Sequence, residues 1–124
     1  MDAKGAAVGE AIKAEVAKAK ARGLKPIVYI GAVWCKPCQA VKAARKDPLM
    51  VEALKGAHVM EFDADEDKSD ELGSLGFRAH LIPAIQHVNA DGRPVGKVID
   101  DDAWGDDTPA EMAPVFKQFV ATAP

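Results

Sequence analysis

Apolar residues near the N-terminus recur at spacings of three and four positions. The stripe consists of Val8, Ile12, Val16 and Ala19. Because this spacing places the apolar side chains on one face, it predicts an amphipathic helix over residues 6–22. Gly23 follows, and a glycine there is suited to ending the helix in a left-handed conformation.

A run that is nearly all apolar and rich in β-branched residues occupies residues 27–33. The run predicts a central strand that is buried on both faces, because almost no polar residue alternates with the apolar ones. Further strands are predicted at residues 58–62, 82–88 and 95–99. Asp91 and Gly92 lie between the last two strands and indicate an antiparallel hairpin.

Helical patterns fill most of the chain between these strands. They cover residues 39–46, 49–54, 69–75 and 109–120. Pro48 suits the first turn of the second helix, whereas Pro114 lies inside the last pattern and is expected to kink it or mark its real start. Alternating strands and helices followed by a hairpin predict an α/β fold, with a mixed central sheet flanked by helices on both faces.

Composition excludes several classes of function. The length of 124 residues fits one domain. Sixteen lysines and arginines against 19 acidic residues give a net charge of −3, which argues against binding nucleic acid through its phosphates. No apolar run reaches about 18 residues, so membrane insertion is not expected. The chain has only two cysteines, so a scaffold of several disulfides is excluded.

Both cysteines lie in one short motif, Cys35-Lys36-Pro37-Cys38, between the buried strand and a helix. If Cys35 begins the helix, unpaired backbone N–H groups and the positive end of the helix dipole favour its thiolate. Lys36 adds a positive charge, Pro37 presets a helical backbone, and Cys38 is close enough in sequence to reach Cys35. The motif predicts an exposed nucleophile with its own resolving thiol, as dithiol–disulfide exchange requires.

Three less favoured interpretations of the cysteine pair stay open. A zinc site would need histidines, and the chain has His58, His80 and His87, but no second cysteine pair or close histidine pair completes the ligand set. An inert structural disulfide is the second alternative, although so short a loop gains little entropy from closure. Two unrelated buried thiols are the third. Because the zinc ligand set is incomplete, no metal is predicted.

Two acidic stretches and one tryptophan carry weaker signals. Residues 63–67 fail the EF-hand pattern, because Lys68 replaces the turn glycine and Ser74 the bidentate glutamate, so a solvated loop is predicted. The aspartates at 100–102 and 106–107 favour solubility or steering of a basic partner. Trp104 is predicted to pack in the core in preference to flanking a substrate groove.

Several of these segments together resemble the thioredoxin superfamily. The features are the strand at 27–33, Trp34-Cys35-Lys36-Pro37-Cys38, Phe62-Asp63-Ala64-Asp65, Gly76-Phe77-Arg78, Ile82-Pro83 and the Asp-Gly hairpin. The resemblance implies a thioredoxin fold over residues 24–122, preceded by an extra amphipathic helix within residues 1–23, in a single domain of residues 1–124. The segment 47–51 also resembles the redox domains of bacterial thiol transporters.

The resemblance implies roles for individual residues. Cys35 would be the attacking thiol and Cys38 the resolving one, with no cofactor beyond their redox-active disulfide. Pro83 would be a cis-proline facing that disulfide, and the backbone of Ile82 would bind an extended substrate segment by strand addition. Trp34 would offer a flat contact area beside the site.

Some positions depart from the family's pattern. Tyr29 stands where thioredoxins carry a buried carboxylate that assists proton transfer at the resolving cysteine, so that role would pass to water or another group. Val33 replaces a residue that is often polar, and Ala84 replaces a threonine. His80 either lies near Cys35, where an imidazolium would stabilise the thiolate, or lies in solvent, which is the favoured interpretation.

The resulting function prediction is a thiol–disulfide oxidoreductase that exchanges disulfides with protein thiols, in the reductase direction. The alternatives are an oxidase or isomerase, and a dedicated electron-relay or binding module for one partner. An upstream reductase or thiol transporter would supply electrons, and the protein is expected to be a monomer. The N-terminus lacks a signal pattern, and the bacterial periplasm is slightly preferred over the cytoplasm through the resemblance to thiol transporters.

Overall fold

A four-stranded mixed sheet forms the centre of the molecule, whose computed structural model describes residues 4–64, 69–79 and 81–122. The strands are β1 (Lys25–Gly31), β2 (Ala57–Asp63), β3 (Ala84–Val88) and β4 (Pro94–Ile99), in the order β2-β1-β3-β4. β1 pairs with β2 in parallel and with β3 antiparallel, and β3 and β4 form the expected antiparallel hairpin. The mixed sheet predicted from the order of elements is confirmed.

Five α-helices cover the two faces of the sheet in the described part of the chain. They are α1 (Lys4–Ala21), α2 (Lys36–Ala44), α3 (Pro48–Ala53), α4 (Ser69–Ser74) and α5 (Pro109–Ala121). α1 and α4 pack on one face, and α2, α3 and α5 pack on the other. None of these helices combines the length and the apolar character that crossing a bilayer requires.

β1 contributes side chains to two hydrophobic cores, one on each face of the sheet. Ile27 and Tyr29 point to the core formed with α2, α3 and α5, whereas Val28 and Ile30 point to the core formed with α1 and α4. Successive side chains on a strand alternate between faces, so a strand covered on both sides needs apolar residues at every position. The prediction of a doubly buried strand is confirmed for these four residues.

The N-terminal helix is an integral part of the second core. Its predicted stripe is buried throughout, at Val8, Ile12, Val16 and Ala19. Gly23 ends the turn after the helix with a φ of 71°, and the N–H of Leu24 donates to the carbonyl of Ala19 at 2.8 Å. This backbone arrangement satisfies carbonyl groups that a helix end leaves unpaired, which is why a glycine is favoured there.

Three boundaries differ from the sequence predictions. β1 ends at Gly31, so Val33 is not a buried strand residue but is 72% exposed, in the loop that leads into α2. β3 begins at Ala84, after Pro83, which has no N–H to donate to a strand ladder. Pro114 does not mark the start of the last helix, because α5 begins at Pro109 and continues through it.

Candidate active site

Cys35 and Cys38 form a disulfide at the N-terminus of α2. Cys35 is the N-cap residue of the helix, and its Sγ accepts a hydrogen bond from the backbone N–H of Cys38 at 3.3 Å. After reduction, the same N–H group and the positive end of the helix dipole favour a thiolate at Cys35. Lys36 and Pro37 follow in the first turn of α2, and Lys36 is exposed.

The disulfide is more enclosed than the sequence suggested. Each cysteine is only 5% exposed, so the prediction of an exposed nucleophile is wrong for this oxidised form. Ala32 and Ile82 pack against the two sulfur-bearing side chains. The carbonyl oxygen of Ile82 lies 4.0 Å from the Cys35 Sγ.

The segment opposite Cys35 is Ile82–Pro83, whose peptide bond is cis. Pro83 is buried, whereas Ile82 is partly exposed. Its carbonyl faces the disulfide, in the place where the resemblance expects the backbone to meet a substrate. His80 lies outside the described residues, so the favoured interpretation, a histidine in solvent, and the alternative place beside Cys35 both stay predictions.

Three exposed apolar residues lie beside Cys35 or Ile82 in the sequence. Val33 is 72% exposed, Trp34 63% and Leu81 68%. Val33 and Trp34 precede Cys35 directly, and Leu81 precedes Ile82. Contiguous exposed apolar residues commonly mark sites of protein interaction. The sequence singled out Trp34 and Ile82 here but missed Leu81 and placed Val33 in the core.

The Cys38 side of the disulfide faces a cavity of about 460 Å³. The cavity is lined by Tyr29, Gly31, Ala32, Val33, Cys38, Gln39, Lys42, Glu61, Phe62 and Asp63. The Tyr29 hydroxyl donates a hydrogen bond to the carbonyl of Cys38 at 3.4 Å. Polar and charged side chains thus line the space behind the second cysteine.

The electrostatic environment keeps Tyr29 in its protonated form. Burial raises the pKa of the Tyr29 phenol far above its ordinary value, and the negative charge of Glu61 raises it further, against the opposing charge of Arg45. Tyr29 is therefore a hydrogen-bond donor in this cavity at neutral pH. It does not replace a carboxylate as a proton acceptor.

Glu61 and Asp63 also line the cavity; the sequence interpretation did not single out Glu61, and it named Asp63 only as part of an acidic stretch. In the parallel pairing of β1 and β2, Glu61 is the register partner of Tyr29, and Asp63 that of Gly31. Arg45 forms an ion pair with Glu61. The signal available in the sequence was the spacing of two positions between Glu61 and Asp63, at and just after the end of the strand predicted over residues 58–62.

The remaining candidate residues have other contacts. His58 lies 3.1 Å from a carboxylate oxygen of Glu15, and the Nε2 of buried His87 lies 2.8 Å from the carbonyl oxygen of Phe119. In the described ranges, three or more side chains able to bind a metal come together only at Asp100–Asp102, away from the cysteine motif in sequence.

Trp104 belongs to the hydrophobic core, as predicted. It is 5% exposed and stacks on Phe116 with ring centroids 5.4 Å apart. Its indole N–H donates to the Asp107 carboxylate at 2.8 Å. This hydrogen bond links the acidic loop at residues 100–107 to the core, and it pairs the polar N–H group of the buried indole ring.

The comparison with solved structures establishes the fold. The chain is similar to disulphide isomerase from Xylella fastidiosa Temecula1, with a TM-score of 0.59 and 19% identity over 90% of this chain and 87% of that chain. No protein-family model and no curated protein matches the sequence. The chain therefore has a thioredoxin-like α/β fold with an N-terminal helix, as the resemblance predicted.

Proposed function

We propose that the protein is a thiol–disulfide oxidoreductase that exchanges disulfides with protein substrates, and that it runs in the reductase direction. The observation that carries the proposal is the Cys35–Cys38 disulfide, placed at the N-cap of α2 and facing the Ile82 carbonyl. The solved structure of similar fold is named a disulphide isomerase, which is a protein of the same chemical class.

The exchange has two steps. The Cys35 thiolate attacks one sulfur of a substrate disulfide, so a Cys35–substrate bond forms and one substrate thiolate leaves. The Cys38 thiolate then attacks the Cys35 Sγ, so the Cys35–Cys38 bond forms and the second substrate thiolate leaves. Two electrons pass to the substrate, and an upstream reductase or thiol transporter would return them to the protein.

The surface around Cys35 supports a protein substrate. The apolar side chains of Val33, Trp34 and Leu81 are exposed beside a disulfide that is otherwise enclosed. The Ile82 carbonyl is a backbone group at the same boundary, and an extended chain could be bound there by strand addition. A small thiol such as glutathione would use little of this surface.

The reduction potential of the Cys35–Cys38 pair tests the proposal first. The protein is equilibrated in glutathione buffers and its thiols are counted. A reversible two-electron couple near about −270 mV supports a reductase, whereas about −120 to −180 mV supports the oxidase or isomerase alternative. Absence of a reversible couple would contradict disulfide exchange, and metal content would then test the zinc alternative.

Insulin reduction separates a general reductase from a dedicated relay. We expect the wild type to accelerate precipitation of the insulin chains and Cys35→Ser to abolish this activity. Cys38→Ser is the matched control, because it should keep the first step and accumulate a mixed disulfide. A reversible couple without insulin reduction would favour the relay for one partner.

A further inference from the structure

The proposed exchange requires a proton acceptor for Cys38. In the second step this thiol must lose its proton before its sulfur attacks Cys35, and thiols buried in apolar surroundings resist ionisation. Cys38 is 5% exposed and faces the cavity described above. The groups that line this cavity therefore decide how the proton leaves.

β1 offers no proton acceptor to the cavity. Its two cavity-lining residues are Tyr29 and Gly31. Tyr29 donates its hydrogen to the Cys38 carbonyl, and burial together with the Glu61 charge raises the pKa of its phenol. Gly31 has no side chain. The acceptor must come from another element or from solvent.

β2 brings two carboxylates to the same cavity. Parallel neighbours in register point their side chains to the same face of a sheet, so Glu61 accompanies Tyr29 and Asp63 accompanies Gly31. A Cβ atom built on Gly31 would lie 3.2 Å from the Cys38 Sγ, so Asp63 is the register neighbour of the backbone position that contacts this sulfur. Both carboxylates line the cavity with Cys38.

The cavity provides a route between the thiol and these carboxylates. Its volume of about 460 Å³ far exceeds the roughly 10–15 Å³ that one water needs, and charged and polar side chains form part of its otherwise apolar lining. Among the described residues, Lys42 on α2 lines the cavity together with Tyr29 on β1. Arg45, just after α2, forms an ion pair with Glu61.

On the basis of the exchange function, we propose that Glu61 and Asp63 on β2 are the proton acceptors for Cys38, acting through water in this cavity. The proton of the Cys38 thiol passes through water to a carboxylate. The resulting thiolate attacks the Cys35 Sγ, and the Cys35–Cys38 bond forms as the Cys35–substrate bond breaks. The carboxylate then returns its proton to solvent or to the departing substrate thiolate.

The test separates formation of the mixed disulfide from its resolution. The reduced protein is mixed with oxidised glutathione and quenched in acid, and the glutathione adduct and the internal disulfide are quantified by mass spectrometry. We expect the double variant Glu61→Gln/Asp63→Asn to form the adduct at the wild-type rate. Its resolution at pH 7 should be slower by about 10-fold or more, because general-base assistance typically contributes at least 10²-fold.

A pH profile distinguishes proton transfer from a structural effect. As the pH rises through and above the ordinary thiol pKa of about 8.5, more of the Cys38 thiol ionises without help, so the difference in rate between the double variant and the wild type should narrow. The matched control is Glu52→Gln/Asp106→Asn, whose two side chains are exposed and do not line the cavity. This control should resolve the adduct at the wild-type rate throughout.

Two outcomes would overturn the proposal. One is wild-type resolution by the double variant at pH 7, and the other is a defect of the same size at every pH. If the double variant does not fold, the single variants Glu61→Gln and Asp63→Asn carry the test, and at least one must slow resolution. If the wild type forms neither the adduct nor the internal disulfide, the exchange function fails, and the assignment of these carboxylates fails with it.

Discussion

Substituting Gly31 by alanine probes the contact between β1 and the disulfide. A Cβ atom at this position would lie 3.1 Å from the Tyr29 Cε1, 3.2 Å from the Cys38 Sγ and 3.3 Å from the Cys38 Cβ. These distances are shorter than ordinary carbon contacts of about 3.5–4.0 Å. Tyr29 and Cys38 are both buried, and the disulfide restrains the Cys38 side chain, so the added methyl group forces neighbouring atoms to shift.

The expected cost of Gly31→Ala is that of overpacking a core. Inserting one methyl group where two side chains must shift costs about 1–3 kcal/mol. Gly73→Ala is the matched control, since a Cβ at Gly73 in α4 meets nothing within 4 Å. In the control, replacing a helical glycine should stabilise the protein by about 0.5–1 kcal/mol. Urea denaturation of both oxidised variants measures the two opposite changes.

The same substitution should affect the reduction potential. The disulfide holds the Cys38 sulfur against the added methyl group, whereas a reduced thiol can rotate about its own bond. If the whole cost falls on the oxidised form, the potential rises by about 20–60 mV. The reasoning is refuted if oxidised Gly31→Ala is as stable as the wild type while Gly73→Ala behaves as expected.

Two further predictions concern stability. Burial lowers the pKa of His87, which also hydrogen-bonds the Phe119 carbonyl. The unfolded chain therefore binds more protons than the folded protein below about pH 6.5. The free energy of unfolding should fall as the pH drops from there towards the lowered pKa, by at most about 1.4 kcal/mol per pH unit. Urea denaturation of His87→Gln should show a flatter dependence on pH. Separately, Ile12→Ala should cost about 2–5 kcal/mol in the same assay, because the side chain is fully buried in the second core, whereas exposed Lys20→Ala should change stability by under about 0.5 kcal/mol.

The fold was predictable wherever local pattern and burial agree. The stripe at Val8, Ile12, Val16 and Ala19 predicted α1 because these four side chains lie on one helical face, and that face is buried in the core. The unbroken apolar run of β1 predicted a strand covered on both sides, since only such a strand needs apolar residues at consecutive positions. Gly23 was expected to end α1 in a left-handed conformation, and its φ is 71°.

The site was predictable only where its residues are neighbours in sequence. Cys35 and Cys38 are three positions apart and lie between a buried strand and the start of a helix. This local pattern was sufficient to predict that the two thiols can react with each other. The exposure of Val33 depends on where β1 ends and the loop turns, which the apolar run does not encode. The cavity depends on the register of β1 against β2, and one residue of slip would place Glu61 and Asp63 on the other face.

The two sulfur atoms of the disulfide lie in different environments, and this difference separates the two steps of the proposed exchange. Cys35 faces the Ile82 carbonyl and an exposed apolar surface, where a substrate can bind. Cys38 faces a cavity that is bounded by the parallel strands β1 and β2 and has the carboxylates of Glu61 and Asp63 in its lining, where the proposed proton acceptors lie. Changes in the cavity should therefore alter resolution without altering substrate binding. In this proposal β1 supplies Tyr29, which cannot accept the proton, and β2 supplies the carboxylates, so the exchange chemistry is retained.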